Sequence, residues 1–137
     1  MAAPTPTTRH VGFDGLRGMV LWHAVWADGT QLTDSVVIDA SAIKAGYTFD
    51  ICRIRAWLSG DIQVVIEHDA TADSLIARFD NNADTTHHVD TGEFVKPIND
   101  PAGTGYTGDV VLTTTNCAAG DEIMLYIDYE VALKNNS

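Results

Sequence analysis

DPAGTGYTGDVVLTTTNCAAGDEIMLYIDYEVAL, residues 100–133, decides the fold. A Pro/Gly cluster feeds a Val/Leu/Thr strand, a short Ala-Ala-Gly-Asp turn follows, and from Ile123 apolar and polar residues alternate for more than ten positions. Strict alternation places successive side chains on opposite faces of an extended chain, so Ile123, Leu125, Ile127, Tyr129, Val131 and Leu133 share one face. Two consecutive strands with their turns, and no helix between them, point to an all-β chain.

Working outward, the same texture recurs. Met19 to Trp26 is apolar on both faces, with Val20, Trp22, Ala24 and Trp26 on one and Met19, Leu21, His23 and Val25 on the other. That pattern suits a strand buried on both sides or lying at a subunit contact. Shorter strands are expected at Thr33–Ile38, Leu75–Phe79, Thr85–Val89 and Val110–Thr115. Ile51–Leu58 and Ile62–His68, separated by Ser59-Gly60-Asp61, read as a β-hairpin with Cys52, Ile54, Ala56 and Leu58 inward and Arg53 and Arg55 outward. Asp39–Gly46 is either a helical turn or a loop. The expectation is a single-domain, jelly-roll-like β-sandwich of about eight short strands over residues 11–137, preceded by an extended N-terminal arm over residues 1–10.

Composition narrows the function classes. The chain has 137 residues, 45% of them hydrophobic, enough for one domain with its own core. Nineteen acidic residues against eight basic give a formal net charge of −11, and the basic residues form no run, so nucleic acid is not an expected partner. No apolar run reaches membrane-spanning length, and Met1–Thr8 has neither the basic nor the apolar region of a signal peptide, so neither a membrane nor export is expected. Cys52 and Cys117 lie far apart in no metal-type spacing; a disulfide is open if their strands are neighbours, and two buried thiols are the preferred reading.

Chemistry-bearing patterns are sparse. His87-His88 with Asp90 has metal-ligand residue types, but adjacent strand residues face opposite ways, so a solvated pair on a loop or edge strand is expected. His68-Asp69 with Asp73 has the same weakness. Asp80-Asn81-Asn82-Ala83-Asp84 begins like a calcium loop but lacks the glycine and the distal glutamate, leaving an Asx-type turn. There is no nucleophile elbow and no phosphate-cradling loop, and nothing singles out a carboxylate pair, so no catalytic residue, cofactor or metal is assigned and the chain is read as non-enzymatic. Trp22, Trp26 and Trp57 are read as core or interface residues, with sugar stacking as the alternative. Arg53 and Arg55 share a strand face with Trp57, which makes that face a candidate contact for an acidic partner; the competing reading is cross-strand pairing with Glu67.

Three stretches, KAGYTFDICRIRAWLSGDIQVVIEHDATADSLIARF (44–79), NDPAGTGYTGDVVLTT (99–114) and AAGDEIMLYI (118–127), resemble a group of small virion proteins of tailed bacteriophages. The resemblance spans Lys44 to Leu133. It implies a capsid decoration, or cement, protein: a β-rich domain on the outer surface of the virion, often a homotrimer, bridging neighbouring subunits of the phage major capsid protein. A carbohydrate-binding module and a minor tail, neck or head-fibre component are the alternatives. Under the resemblance, the arm residues Ala2, Ala3, Pro4, Thr5, Pro6, Thr7 and Thr8, together with Trp22, Trp26, Arg53, Arg55 and Trp57, are candidate capsid or subunit contacts.

Overall fold

In the computed structural model, described over residues 4–12, 17–43, 46–69, 74–81, 86–99 and 105–133, nine strands form two antiparallel sheets. They are β1 (Thr7–Gly12), β2 (Arg17–Val25), β3 (Ser35–Ile38), β4 (Tyr47–Ser59), β5 (Ile62–His68), β6 (Ser74–Asn81), β7 (Thr86–Asp90), β8 (Val110–Thr115) and β9 (Glu122–Leu133). Among its described residues, the Asp39–Gly46 stretch holds a 3-10 turn, Ala40–Ala42, capped by the Asp39 side chain. No helix among the described residues is long and apolar enough to cross a membrane.

The sheets run β1-β2-β9-β4-β7 and β3-β8-β5-β6. Four of the pairings, β2–β9, β3–β8, β4–β7 and β5–β6, join strands that count inward from the two ends of the chain. The fold is therefore one long antiparallel ribbon, with β5 and β6 at its tip, rolled until β4 meets β9 and β5 meets β8. That is a jelly roll, with β1 added at one edge. The alternation dictates the packing: Val20, Trp22, Ala24, Ile54, Ala56, Leu58, Ile123, Leu125 and Ile127 of one sheet face Ile62, Val64, Ile66, Val110 and Leu112 of the other in a single buried core.

Three expectations need correction. Ile51–Leu58 and Ile62–His68 are not a hairpin: β4 and β5 lie in opposite sheets, and Gly60-Asp61 carries the chain across the edge of the sandwich. Both strands alternate with the same period whether they lie side by side or face each other over a core, so periodicity does not separate the two arrangements. The turn is fixed instead by Gly60 at φ 118°, where a side chain would meet the Asp121 carboxylate, and by buried Asn81, whose Nδ2 donates to the carbonyls of Gly60 at 2.8 Å and Leu58 at 3.3 Å. Secondly, the arm is shorter than expected: Thr7 to Gly12 pairs in full with His23 to Gly18, while Pro4–Pro6 takes no regular structure and Ala2 and Ala3 lie outside the described residues. The Thr7–Val11 run, with β-branched Thr7, Thr8 and Val11, satisfies its backbone by extending the sheet. Thirdly, of the two readings of Met19–Trp26, burial on both sides within the chain does not hold, and a subunit contact stays open: Val20, Trp22, Ala24 and Trp26 are core, whereas Met19, Leu21 and His23 are half-buried on the outer face and Val25 is 52% exposed.

Candidate functional site

The outer face of the five-stranded sheet gathers the surface aromatic and sulfur-bearing side chains into ladder rows. One row, across β2, β9, β4 and β7, is His23–Met124–Trp57–His88. The next is Leu21–Tyr126–Arg55–Asp90, with Arg9 of β1 at its end, and a third is Met19–Asp128–Arg53. Register alone places them on one face, since directly paired residues of antiparallel strands point the same way. A bulge at Cys52 keeps Asp50 outward as well, opposite Glu130.

Contacts within the face are specific. The Trp57 indole stacks on the His88 ring at 4.3 Å and 16°, and Tyr126 leans on its edge at 5.4 Å. The Arg55 guanidinium lies over Tyr126, 5.3 Å from the ring centre, and reaches Asp128 at 3.3 Å and the Met19 sulfur at 3.5 Å. Arg53 grips Asp90 with two parallel bonds, Nε to Oδ1 at 3.0 Å and Nη2 to Oδ2 at 2.6 Å. That clamp, helped by the Gly92 amide, holds the Asp90 carboxyl at about 2, well below the usual carboxylate range. His23 meets Glu122 at 2.6 Å, and Arg17 meets Glu93 at 2.8 Å. Asp50 behaves oppositely: burial, with Glu130 alongside, pushes its carboxyl up.

The sequence-selected residues therefore divide. Arg53, Arg55 and Trp57 come together on this face. Trp22 and Trp26 do not: they are 0% and 1% exposed and point into the core, because alternation from the outward His23 turns both inward, so neither is a surface contact. Arg53 and Arg55 pair with Asp90 and Asp128, not with Glu67, which belongs to β5 in the other sheet. Met19, Leu21, Met124, Tyr126 and His88 complete the face; the sequence marks His88 only as a metal-type residue and Met19 and Leu21 only as one side of their strand, and register between β2, β4, β7 and β9 is the missing signal.

The opposite sheet presents a different surface, with Gln63, Val65, Glu67, Arg78, Thr113 and Thr115 outward and no exposed aromatic ring among them. Elsewhere the polar clusters are structural. His88 lies on the outer face and His87, its neighbour on the edge strand β7, is exposed on the other side. His68 is buried and its Nε2 accepts the Gly108 amide at 2.9 Å, while Asp73 lies outside the described residues. The calcium-like stretch contributes Asn81 to the β4–β5 corner, and residues 82–84 are outside the described set. Among the described residues no group of three or more His, Cys, Asp or Glu is placed to hold a metal ion. Cys52 and Cys117 are unpaired and buried, and burial pushes both thiols up to about 11.

Between the middle of the Trp57 row and the neighbouring Ser59–Glu122 pair, Trp57, Ser59, Glu122 and Met124 line a shallow depression of about 320 Å³. The face as a whole is a broad, amphipathic surface rather than a cleft converging on reactive groups, and its geometry is suited to recognition.

No family model matches the chain, and no curated protein matches it. Among solved structures, the chain is similar to a point mutant of CBM29-2, a family 29 carbohydrate-binding module studied for its mechanism of ligand recognition, at 7% identity and a TM-score of 0.34 over 94% of this chain and 74% of that one. A likeness of that degree carries no argument about function.

Proposed function

We propose that the protein is a non-enzymatic virion component that decorates and stabilises a bacteriophage capsid, docking on the shell through the outer face of its five-stranded sheet. The carrying observation is the composition of that face: Trp57, Tyr126, Met19, Met124 and Leu21 sit among arginines held in place by Asp90 and Asp128. Tyr, Trp, Met and Arg are the side chains that interface cores favour, and a pre-paired arginine loses less freedom on docking. The resemblance of Lys44–Leu133 to phage virion proteins supplies the partner, the major capsid protein, and the assembly, a homotrimer on the outer surface. A protein that binds the assembled shell and not its free subunits adds its binding free energy to the stability of the lattice, and many copies act together.

The test is co-sedimentation with purified capsids. Trp57→Ala with Tyr126→Ala is expected to lower occupancy at least tenfold, since aromatic anchors at interface centres each contribute about 2 kcal/mol or more. Thermal unfolding checks that the variant is folded. Unchanged occupancy of a folded variant sinks the proposal. A second reading, glycan binding, is favoured by one observation: an indole, a hydroxyl and a carboxylate meet in the Trp57 depression. A glycan panel read through tryptophan fluorescence separates the two.

A further inference from the structure

We infer that the depression lined by Trp57, Met124, Ser59 and Glu122 is an anchor pocket for a basic side chain, lysine or arginine, carried by the docking partner. The inference rests on the docking reading and names the chemistry its deepest contact recognises. Trp57 and Met124 provide an apolar wall for an aliphatic stem, and an indole face also attracts a cation. The polar end is built to accept. Glu122 Oε2 bonds His23 at 2.6 Å, and its Oε1 has no hydrogen-bond partner among the described residues; nor does the Ser59 hydroxyl. A carboxylate accepts only, so what it lacks is a donor, and an ammonium or guanidinium supplies one with charge.

The protein does not fill the pocket from within. Arg53, Arg55 and Arg17 of the same face are bound to Asp90, Asp128 and Glu93. A net charge of −11 adds a long-range attraction for a basic partner element. The sequence expectation of an acidic partner, drawn from Arg53 and Arg55, is thereby reversed at this end of the face. One face of the indole is taken by the stacked His88 ring, which leaves the other for a narrow side chain rather than for a broad ring sandwiched on the indole.

The core positions of Trp22 and Trp26 make the test clean, because Trp57 is then the accessible indole. The intact protein is titrated at constant ionic strength with Nα-acetyl-arginine amide and Nα-acetyl-lysine amide, with Nα-acetyl-norleucine amide and cellobiose as comparisons. The Trp57 indole N–H resonance reports. A saturable shift with the basic amides is expected, about tenfold weaker in Glu122→Gln, the loss of one charge-assisted contact. An equal shift with norleucine amide, or no change in Glu122→Gln, overturns the inference. So does a shift with cellobiose alone, or none with any probe. Capsid co-sedimentation of Glu122→Gln and Trp57→Ala tells the two failures apart. If Trp57→Ala lowers occupancy while basic amides leave the indole unmoved, docking stands and the pocket falls. If basic amides bind but neither substitution changes occupancy, the pocket stands and docking falls.

Discussion

At the scale of single residues, the outer face is organised by charge pairs, and one of the paired arginines, Arg55, also lies over the Tyr126 ring. Arg53 and Asp90 form the best defined of these, and the pair has a measurable signature. Its folded carboxyl lies at about 2, against a usual value near ~3.9. The sign follows from linkage: a depressed carboxyl contributes stability that is full above about pH 4 and disappears as pH falls from 4 toward 2. We expect the Asp90 side-chain carbon to titrate near pH 2 by NMR, and Arg53→Met to bring its midpoint back toward the usual range. The Gly92 amide at 2.8 Å would keep it slightly low. A midpoint that does not move in Arg53→Met would show that the amide alone sets it. Asp50, by contrast, carries a buried Oδ1 without a hydrogen-bond partner among the described residues, and Glu130 stands opposite. Its raised carboxyl works against folding as pH rises, the reverse of Asp90.

At the scale of elements, strand positions were legible and strand partners were not. Ile123, Leu125, Ile127 and Tyr129 alternate with Met124, Tyr126 and Asp128, and burial follows that alternation residue by residue. The ends of β7 and β8 fall within a residue of expectation, because apolar alternation stops where turn residues start. The partner of β4 was not legible: its pairing with β9, more than sixty residues away, is set by the rolling of the whole ribbon and not by any local signal. The Ser59-Gly60-Asp61 turn looked like a hairpin because glycine at positive φ serves hairpins and sandwich corners alike. What makes it a corner is Asn81, a residue whose importance only the fold reveals. Asn81→Leu removes both carbonyl contacts and leaves the Gly60 and Leu58 carbonyls short of a donor. We expect a loss of about 1–3 kcal/mol by urea denaturation. A surface asparagine would cost a few tenths, and such a value would remove the corner role.

At the scale of the whole molecule, the two sheets divide the work. The four-stranded sheet closes the core and offers a Val/Thr/Gln/Glu surface, while the five-stranded sheet buries Trp22 and Trp26 inward and presents Trp57 and Tyr126 outward. The added strand β1 widens the second sheet and protects the edge of β2. Its boundary allows the arm and the strand to be tested separately, which a deletion through Thr8 would confound. Removing residues 2–6 takes away only segments that form no part of the Thr7–Gly12 ladder. The melting temperature is expected to stay within about 2 °C, since the β1–β2 ladder is left whole. Removing residues 2–12 strips six paired residues and bares the β2 backbone. That variant should melt lower by several degrees and self-associate, since an uncovered edge strand is a template for further pairing. Capsid occupancy then divides the roles: if the arm contacts the shell, the shorter deletion lowers occupancy at an unchanged melting temperature. If only the longer deletion lowers it, the loss traces to the sheet, and the contact lies on the face that Trp57 and Tyr126 define.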